Sequence, residues 1–256
     1  MTLGGRGCAT VALCAALATP ACSSDTPRPV GGDEPGGELV VLAASSLTAA
    51  FTELAEHFEA AHPGVDVRVG FGGSSGLAEQ IRQGAPADVF AAADEESFEL
   101  VADRAGDPVV VARNRLAILV EPGNPESLRL ARDLARTDLT YAVCDPTVPC
   151  GRLAARLLDE LRVGTEPVSF EGSVTAVVGK VVLGEVDAGV VFASDVVAAG
   201  DAATGVSIPD AQNPTTSYPI AVLDDAPNPV AARAWVSFVT SERARRIFVA
   251  NGLLAP

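Results

Sequence analysis

From residue 38 onward the chain alternates short apolar runs with longer amphipathic ones. Residues 39–44, 67–71, 88–92, 116–120, 141–143, 188–192 and 220–223 read as strands, being short, apolar and bounded by turn formers. Between them the period changes. Leu47, Phe51, Leu54 and Phe58 recur at helical spacing and predict a helix that ends near His62-Pro63-Gly64. A second short helix carries Leu77 and Ile81 and stops at Gly84. A third is expected from about Gly151 through Leu153, Leu157 and Leu161, a fourth over about 175–183, and one long final helix over about 230–249. Strands alternating with helices imply an α/β fold with largely parallel sheets.

Composition narrows the class. The 256 residues are 48% hydrophobic and 20% charged, ordinary values for a globular chain able to bury a core. The formal net charge of −15, with no basic stripe, argues against a nucleic-acid partner. At the N-terminus Arg6 precedes an apolar run over 8–17, too short to span a bilayer, followed by Ala18-Thr19-Pro20-Ala21-Cys22. Residues 1–22 therefore read as an export signal whose end resembles a lipoprotein cleavage site, with Cys22 lipidated; an ordinary signal peptide cut near Ala21 is the alternative. The expectation is a protein anchored by lipid to the outer face of the cytoplasmic membrane, or periplasmic. Residues 23–37, rich in Pro, Gly and acids, are expected to form a disordered tether. Of five cysteines, Cys144 and Cys150 then remain, and an even pair in an oxidising compartment favours a disulfide over two unlinked core thiols.

Candidate chemistry lies at the helix starts. Ser45-Ser46, Gly72-Gly73-Ser74-Ser75-Gly76, Pro149-Cys150-Gly151 and Gly172-Ser173-Val174 each stand between a strand and a helix. A helix N-terminus offers unpaired N–H groups and a partial positive charge, serine adds a hydroxyl donor, and glycine admits close approach. Any one such junction is ordinarily a cap and a turn. Four in one α/β chain point to a ligand site beyond the strand ends.

These residues also carry a resemblance. Leu42-Ala43-Ala44-Ser45-Ser46-Leu47, Gly84-Ala85-Pro86-Ala87-Asp88-Val89-Phe90 with Ala93-Asp94, Asp145-Pro146 with Val148-Pro149-Cys150-Gly151, 189–195 and Tyr218-Pro219-Ile220-Ala221-Val222 resemble, in order, segments of periplasmic molybdate-binding proteins. The resemblance covers nearly all of the chain after residue 38. It implies a two-lobed periplasmic-binding-protein-like fold of type II with the ligand in the cleft between lobes. Lobe 1 would comprise 38–119 and 221–256 and lobe 2 would comprise 120–220, with hinge segments near Val120 and Ile220. The family's oxyanion positions fall on Ser46, Ser74, Cys150 and Val174. Ser46 and Ser74 would give hydroxyl and backbone donors, and Cys150 and Val174 backbone N–H groups. Phe192 stands where better-studied members have a Tyr donor. Ser173, Thr175, Ser194 or Tyr218 would have to compensate, and Phe192→Tyr is expected to tighten binding.

The implied function is capture of molybdate or tungstate, without catalysis or cofactor, by a monomer that delivers it to an ABC importer permease with its cytoplasmic ATPase. A binding protein for sulfate or another small oxyanion is the near alternative. The remote one is an exported serine hydrolase using Ser74 within G-x-S-x-G, which lacks a histidine after the nucleophile: His57 and His62 both precede it and read as surface residues. No cysteine or histidine pair has metal spacing, and Asp94-Glu95-Glu96 and Asp224-Asp225 read as solvated faces.

Overall fold

A computed structural model of the chain describes residues 34–256. The expected signal peptide, Cys22 and most of the expected tether lie outside the described residues. Strand β1 (Gly37–Ala44) is buried from Val41 to its end, as its unbroken apolar run requires. It already includes Gly37, whose N–H donates to the Gly64 carbonyl (2.7 Å), so the expected tether ends at least one residue early.

A short 3-10 turn over Ser45–Leu47 leads into α1 (Thr48–Ala61), which buries Phe51, Leu54 and Phe58. β2 (Val65–Gly72), α2 (Ser74–Arg82), β3 (Val89–Ala91) and the one-turn α3 (Glu95–Glu99) follow. β4 (Val109–Val120) is more than twice the expected strand. Then come β5 (Tyr141–Cys144), α4 (Pro149–Glu160), β6 (Ser169–Glu171), α5 (Val174–Val182), β7 (Ala188–Phe192), α6 (Ala193–Ala199), β8 (Thr204–Ser207) and β9 (Thr215–Val222). The expected single C-terminal helix is two, α7 (Pro229–Val239) and α8 (Glu242–Ala250). Ser241 separates them, because its hydroxyl accepts from the Ala244 N–H (3.2 Å) and so caps a new helix. These two helices return to α1, where Trp235 packs edge-on against Phe51 and Phe58.

The strands run in the order β2-β1-β3-β9-β4-β7-β5-β6, with β8 also on β4. Parallel pairs β1–β2, β1–β3, β5–β6 and β5–β7 are matched by antiparallel pairs β3–β9, β4–β9, β4–β7 and β4–β8. The expectation of largely parallel sheets is thus corrected to a mixed arrangement. The chain passes between the two halves in β4 and β9, and these crossings run against their neighbours. β4 pairs with β9 through Arg115 and with β7 and β8 from Leu116 and Ala117 onward. Each half carries helices over its faces, which gives a two-lobed α/β fold with the carboxyl ends of β1, β2, β5 and β7 turned toward one cleft.

Candidate functional site

All four helix starts meet in that cleft. Ser45, Ser46, Gly73 and Ser74 form one wall of a small cavity; Val148, Cys150, Ser173, Val174 and Phe192 form the other. The five residues Ser46, Ser74, Cys150, Val174 and Phe192 singled out in the sequence are therefore neighbours in space. The cavity measures ≈ 10 Å³. That is room for a compact ion, far below the roughly 300–1,000 Å³ of pockets that bury organic ligands.

The donors differ between walls. Ser74, Cys150 and Val174 lie in the first turns of α2, α4 and α5, where no carbonyl four residues back exists to accept their N–H groups. Pro149 occupies the opening position of α4, and Ser173 caps α5 through a bond from Ala176 N–H (3.4 Å). Ser74 is fully buried and its Oγ accepts from the Ala93 N–H (3.0 Å), which leaves its proton free. Ser46 Oγ lies 2.8 Å from the Tyr218 hydroxyl, itself 3.1 Å from Asn114 Nδ2. Burial pushes the Tyr218 hydroxyl well above its ordinary value, against the opposing effect of its bonds to Ser46 and Asn114, so it stays protonated.

No lining residue is charged. The helix N-termini and hydroxyls give the cavity a positive potential without a cation. Phe192 is buried, with its ring edge-on to Tyr218 at 6.2 Å, and supplies no donor. Of the substitutes considered, Ser173 lines the cavity, Tyr218 reaches it through Ser46, and Ser194 bonds to Asn114 (2.8 Å). Thr175 lines a neighbouring cavity instead.

Cys144 and Cys150 are joined as a disulfide with Cα atoms 5.7 Å apart, tying the start of α4 to the end of β5. Just beyond, Arg152 reaches across the cleft mouth to Asp94 Oδ2 from Nε (2.9 Å) and Nη2 (2.6 Å), and to Ser97 Oγ (2.8 Å). Asp94 is thus no part of a solvated face: it also caps α3 by accepting from Ser97 N–H. The Ser75 hydroxyl donates to the Thr147 carbonyl (2.6 Å), and a methyl placed on Gly73 would lie 2.3 Å from the Gly172 carbonyl oxygen. The walls therefore stand in main-chain contact.

Behind Phe192, Asp195 accepts from the Phe192 N–H (2.9 Å) and is buried, which raises its carboxyl from 3.8 to about 7 despite that bond. Sequence reasoning missed Asn114 and Arg152. Asn114 lies outside the expected strand 116–120, so nothing marked it or pointed to its partners. The histidines are half-buried and lie elsewhere: His57 Nδ1 is 2.9 Å from Arg243, and the His62 ring lies tilted against Phe58. Neither is a hydrogen-bond partner of Ser74. Among the described residues no group of three or more His, Cys, Asp or Glu is placed to hold a metal ion, and no helix is long and apolar enough to cross a membrane.

A family profile, the bacterial extracellular solute-binding protein, matches residues 39–254. This chain belongs to that family. Within it, the chain is 42% identical over 241 residues to the molybdate-binding protein ModA of Mycobacterium tuberculosis, covering 92% of each chain. It is 29% identical to ModA of Escherichia coli, over 84% of this chain and 88% of the relative. Among solved structures, the periplasmic molybdate-binding protein of Azotobacter vinelandii superposes with a TM-score of 0.75 at 23% identity, over 85% of this chain and 99% of that one. The sulfate-binding protein SubI of M. tuberculosis gives 0.77 at 18% identity, over 84% and 86%. At those identities the two superpositions establish the fold alone. The family's members are extracellular solute-binding proteins.

Proposed function

We propose that this solute-binding protein captures a fully deprotonated tetrahedral oxyanion, molybdate or tungstate, and delivers it to an ABC importer. The observation that carries the reading is a cavity of ion size that offers donors and no carboxylate. A protonated phosphate would need an acceptor for its proton, whereas molybdate, tungstate and sulfate at neutral pH only accept. Ser46 and Ser74 donate from one wall through hydroxyls. Cys150 and Val174 donate from the other through main-chain N–H groups at the starts of α4 and α5, and the absence of a Tyr at 192 is offset by Ser173. The dianion is held by dipoles in a water-poor cleft, where each is worth more than in water. The 42% identical molybdate-binding relative supports molybdate over sulfate.

In this reading the lobes, 38–119 with 221–256 and 120–220, close about β4 and β9 around the ion. Arg152 and Asp94 then latch the mouth. The closed surface docks on a membrane permease whose ATPase drives import. The protein acts as a monomer, carries no resident cofactor and catalyses nothing. Lipidation at Cys22 would keep it near its permease.

A thermal-shift panel tests this. A ligand at one hundred times its Kd adds about 2.7 kcal/mol of stability. Molybdate and tungstate should raise Tm clearly, and sulfate and phosphate weakly or not at all. A response to sulfate alone would transfer the assignment to sulfate, and silence toward all four would end the oxyanion reading.

A further inference from the structure

We infer that Asn114 and Tyr218 are positioning residues for the anion site, holding the Ser46 hydroxyl with its proton turned into the cleft. The inference rests on the reading above, in which Ser46 faces an oxyanion.

The argument is an accounting of protons. Asn114 Oδ1 accepts from the Arg115 N–H (2.9 Å), which fixes the amide so that Nδ2 faces Tyr218 Oη (3.1 Å) and Ser194 Oγ (2.8 Å). An amide nitrogen only donates, so the Tyr218 oxygen accepts. Its single proton then has one remaining partner, Ser46 Oγ at 2.8 Å. With its oxygen accepting from Tyr218, Ser46 directs its own proton elsewhere, and Ser46 lines the cavity into which the four helix starts converge. The reverse arrangement, Ser46 donating to Tyr218, would leave the tyrosine proton unpaired in a site where Asn114 and Tyr218 are both 0% exposed. Donors in a chain polarise one another, so Asn114 and Tyr218 also strengthen the last donor in the row.

Ser74 reaches the same end by another route, because the Ala93 N–H occupies its oxygen. The Ser46 and Ser74 hydroxyls are thereby committed as donors before any ion arrives. The commitment bears on selectivity. Hydrogen phosphate brings a proton toward a Ser46 hydroxyl that is already turned to it as a donor, while a proton-free dianion loses nothing.

The test is a double-mutant cycle on the exported, folded protein, read by titration calorimetry with molybdate, or with sulfate if only sulfate binds. Tyr218→Phe should weaken binding about tenfold, the scale of one hydrogen bond. It should also narrow the preference for that ion over phosphate, because Ser46 regains the freedom to accept. Ser46→Ala should weaken binding at least as much, and Tyr218→Phe in the Ser46→Ala background should add less than about twofold. Additive losses, or an unchanged preference over phosphate, would overturn the inference while leaving the oxyanion reading intact. A wild-type protein silent to both ions would overturn the reading itself. If Tyr218→Phe fails to fold, 3-fluorotyrosine supplies the second probe. The chain has two tyrosines, and the other, Tyr141, is committed to the Thr165 carbonyl (2.6 Å). A more acidic phenol donates more strongly, so the labelled protein should bind several-fold tighter; equal or weaker binding overturns the inference.

Discussion

One wall of the cleft offers side-chain hydroxyls at Ser46 and Ser74; the facing wall offers main-chain N–H groups at Cys150 and Val174. On the first wall the identity of the side chain is the chemistry, and each hydroxyl oxygen is occupied by a neighbour, Tyr218 or the Ala93 N–H. On the second wall the chemistry belongs to the start of a helix, and the side chains are released for other tasks. Cys150 is joined to Cys144, and Val174 is 2% exposed in the core. The same donor set is thus vulnerable to point substitution on one side and to backbone distortion on the other.

The strongest way to break the second wall is through its backbone. A methyl on Gly151 would lie 2.0 Å from the Asp145 carbonyl oxygen and 2.6 Å from that of Cys144. Gly151→Ala should therefore cost about 4 kcal/mol or more in denaturant unfolding, at the upper end of single substitutions. A loss below about 1 kcal/mol would mean that the loop gives way easily.

Asp195 tests the same wall from behind. Its carboxyl is raised by burial from 3.8 to about 7, so folding favours the protonated form. Its contribution is complete below about pH 4 and is lost as pH rises through about 7, on the order of 1.4 kcal/mol per unit. Asp195→Asn keeps an acceptor for the Phe192 N–H and should remove that decline, so the variant is the more stable protein at pH 8 by a few kcal/mol. Parallel stability profiles for the two proteins would refute it.

For the donors themselves, Ser74→Ala should weaken oxyanion binding by about 1.5–3 kcal/mol, while Val174→Ala should change affinity by less than about 0.5 kcal/mol and register in stability instead. Equal losses of affinity at the two positions would erase the distinction between the walls. The smallest effect on binding is expected from the disulfide. Cys144→Ser with Cys150→Ser should lower stability by about 2 kcal/mol for so short a loop, yet change calorimetric affinity by less than about 1.5-fold. A larger loss of affinity would mean that the bond aims the Cys150 N–H.

The two walls were also unequally legible in the sequence. Helix starts announce themselves locally, since a Gly, Ser or Pro between a strand and an amphipathic run is read from adjacent residues. All four junctions were found that way. β1 and β7 were equally plain, because strands buried on both faces are continuous apolar runs. β6 and β8 were not, being three and four residues long and partly exposed. The first half of β4 was hidden by Arg113, Asn114 and Arg115, polar residues in what is a continuous strand. The partners behind the first wall were beyond reach for a different reason. Asn114 and Tyr218 are 104 positions apart and Ser46 and Tyr218 are 172 apart, and no local pattern encodes a pairing made by two crossing strands. Arg152 and Asp94 met the same obstacle.

β4 is held unevenly along its length. From Ala117 to Val120 it has a neighbour on each side, β7 and β8, while from Val109 to Arg115 its ladder is with β9 and its other edge is held by the single bridge of Arg113 to Leu254. A ribbon clamped on both edges resists twisting far more than one clamped on a single edge, so torsion between the two halves of the molecule gathers in the looser stretch. Asn114 stands at the end of that stretch. The amide that orders the hydroxyl row of the cleft therefore sits beside the boundary between the singly and doubly paired stretches of β4, where a change in twist along the strand bears on it directly.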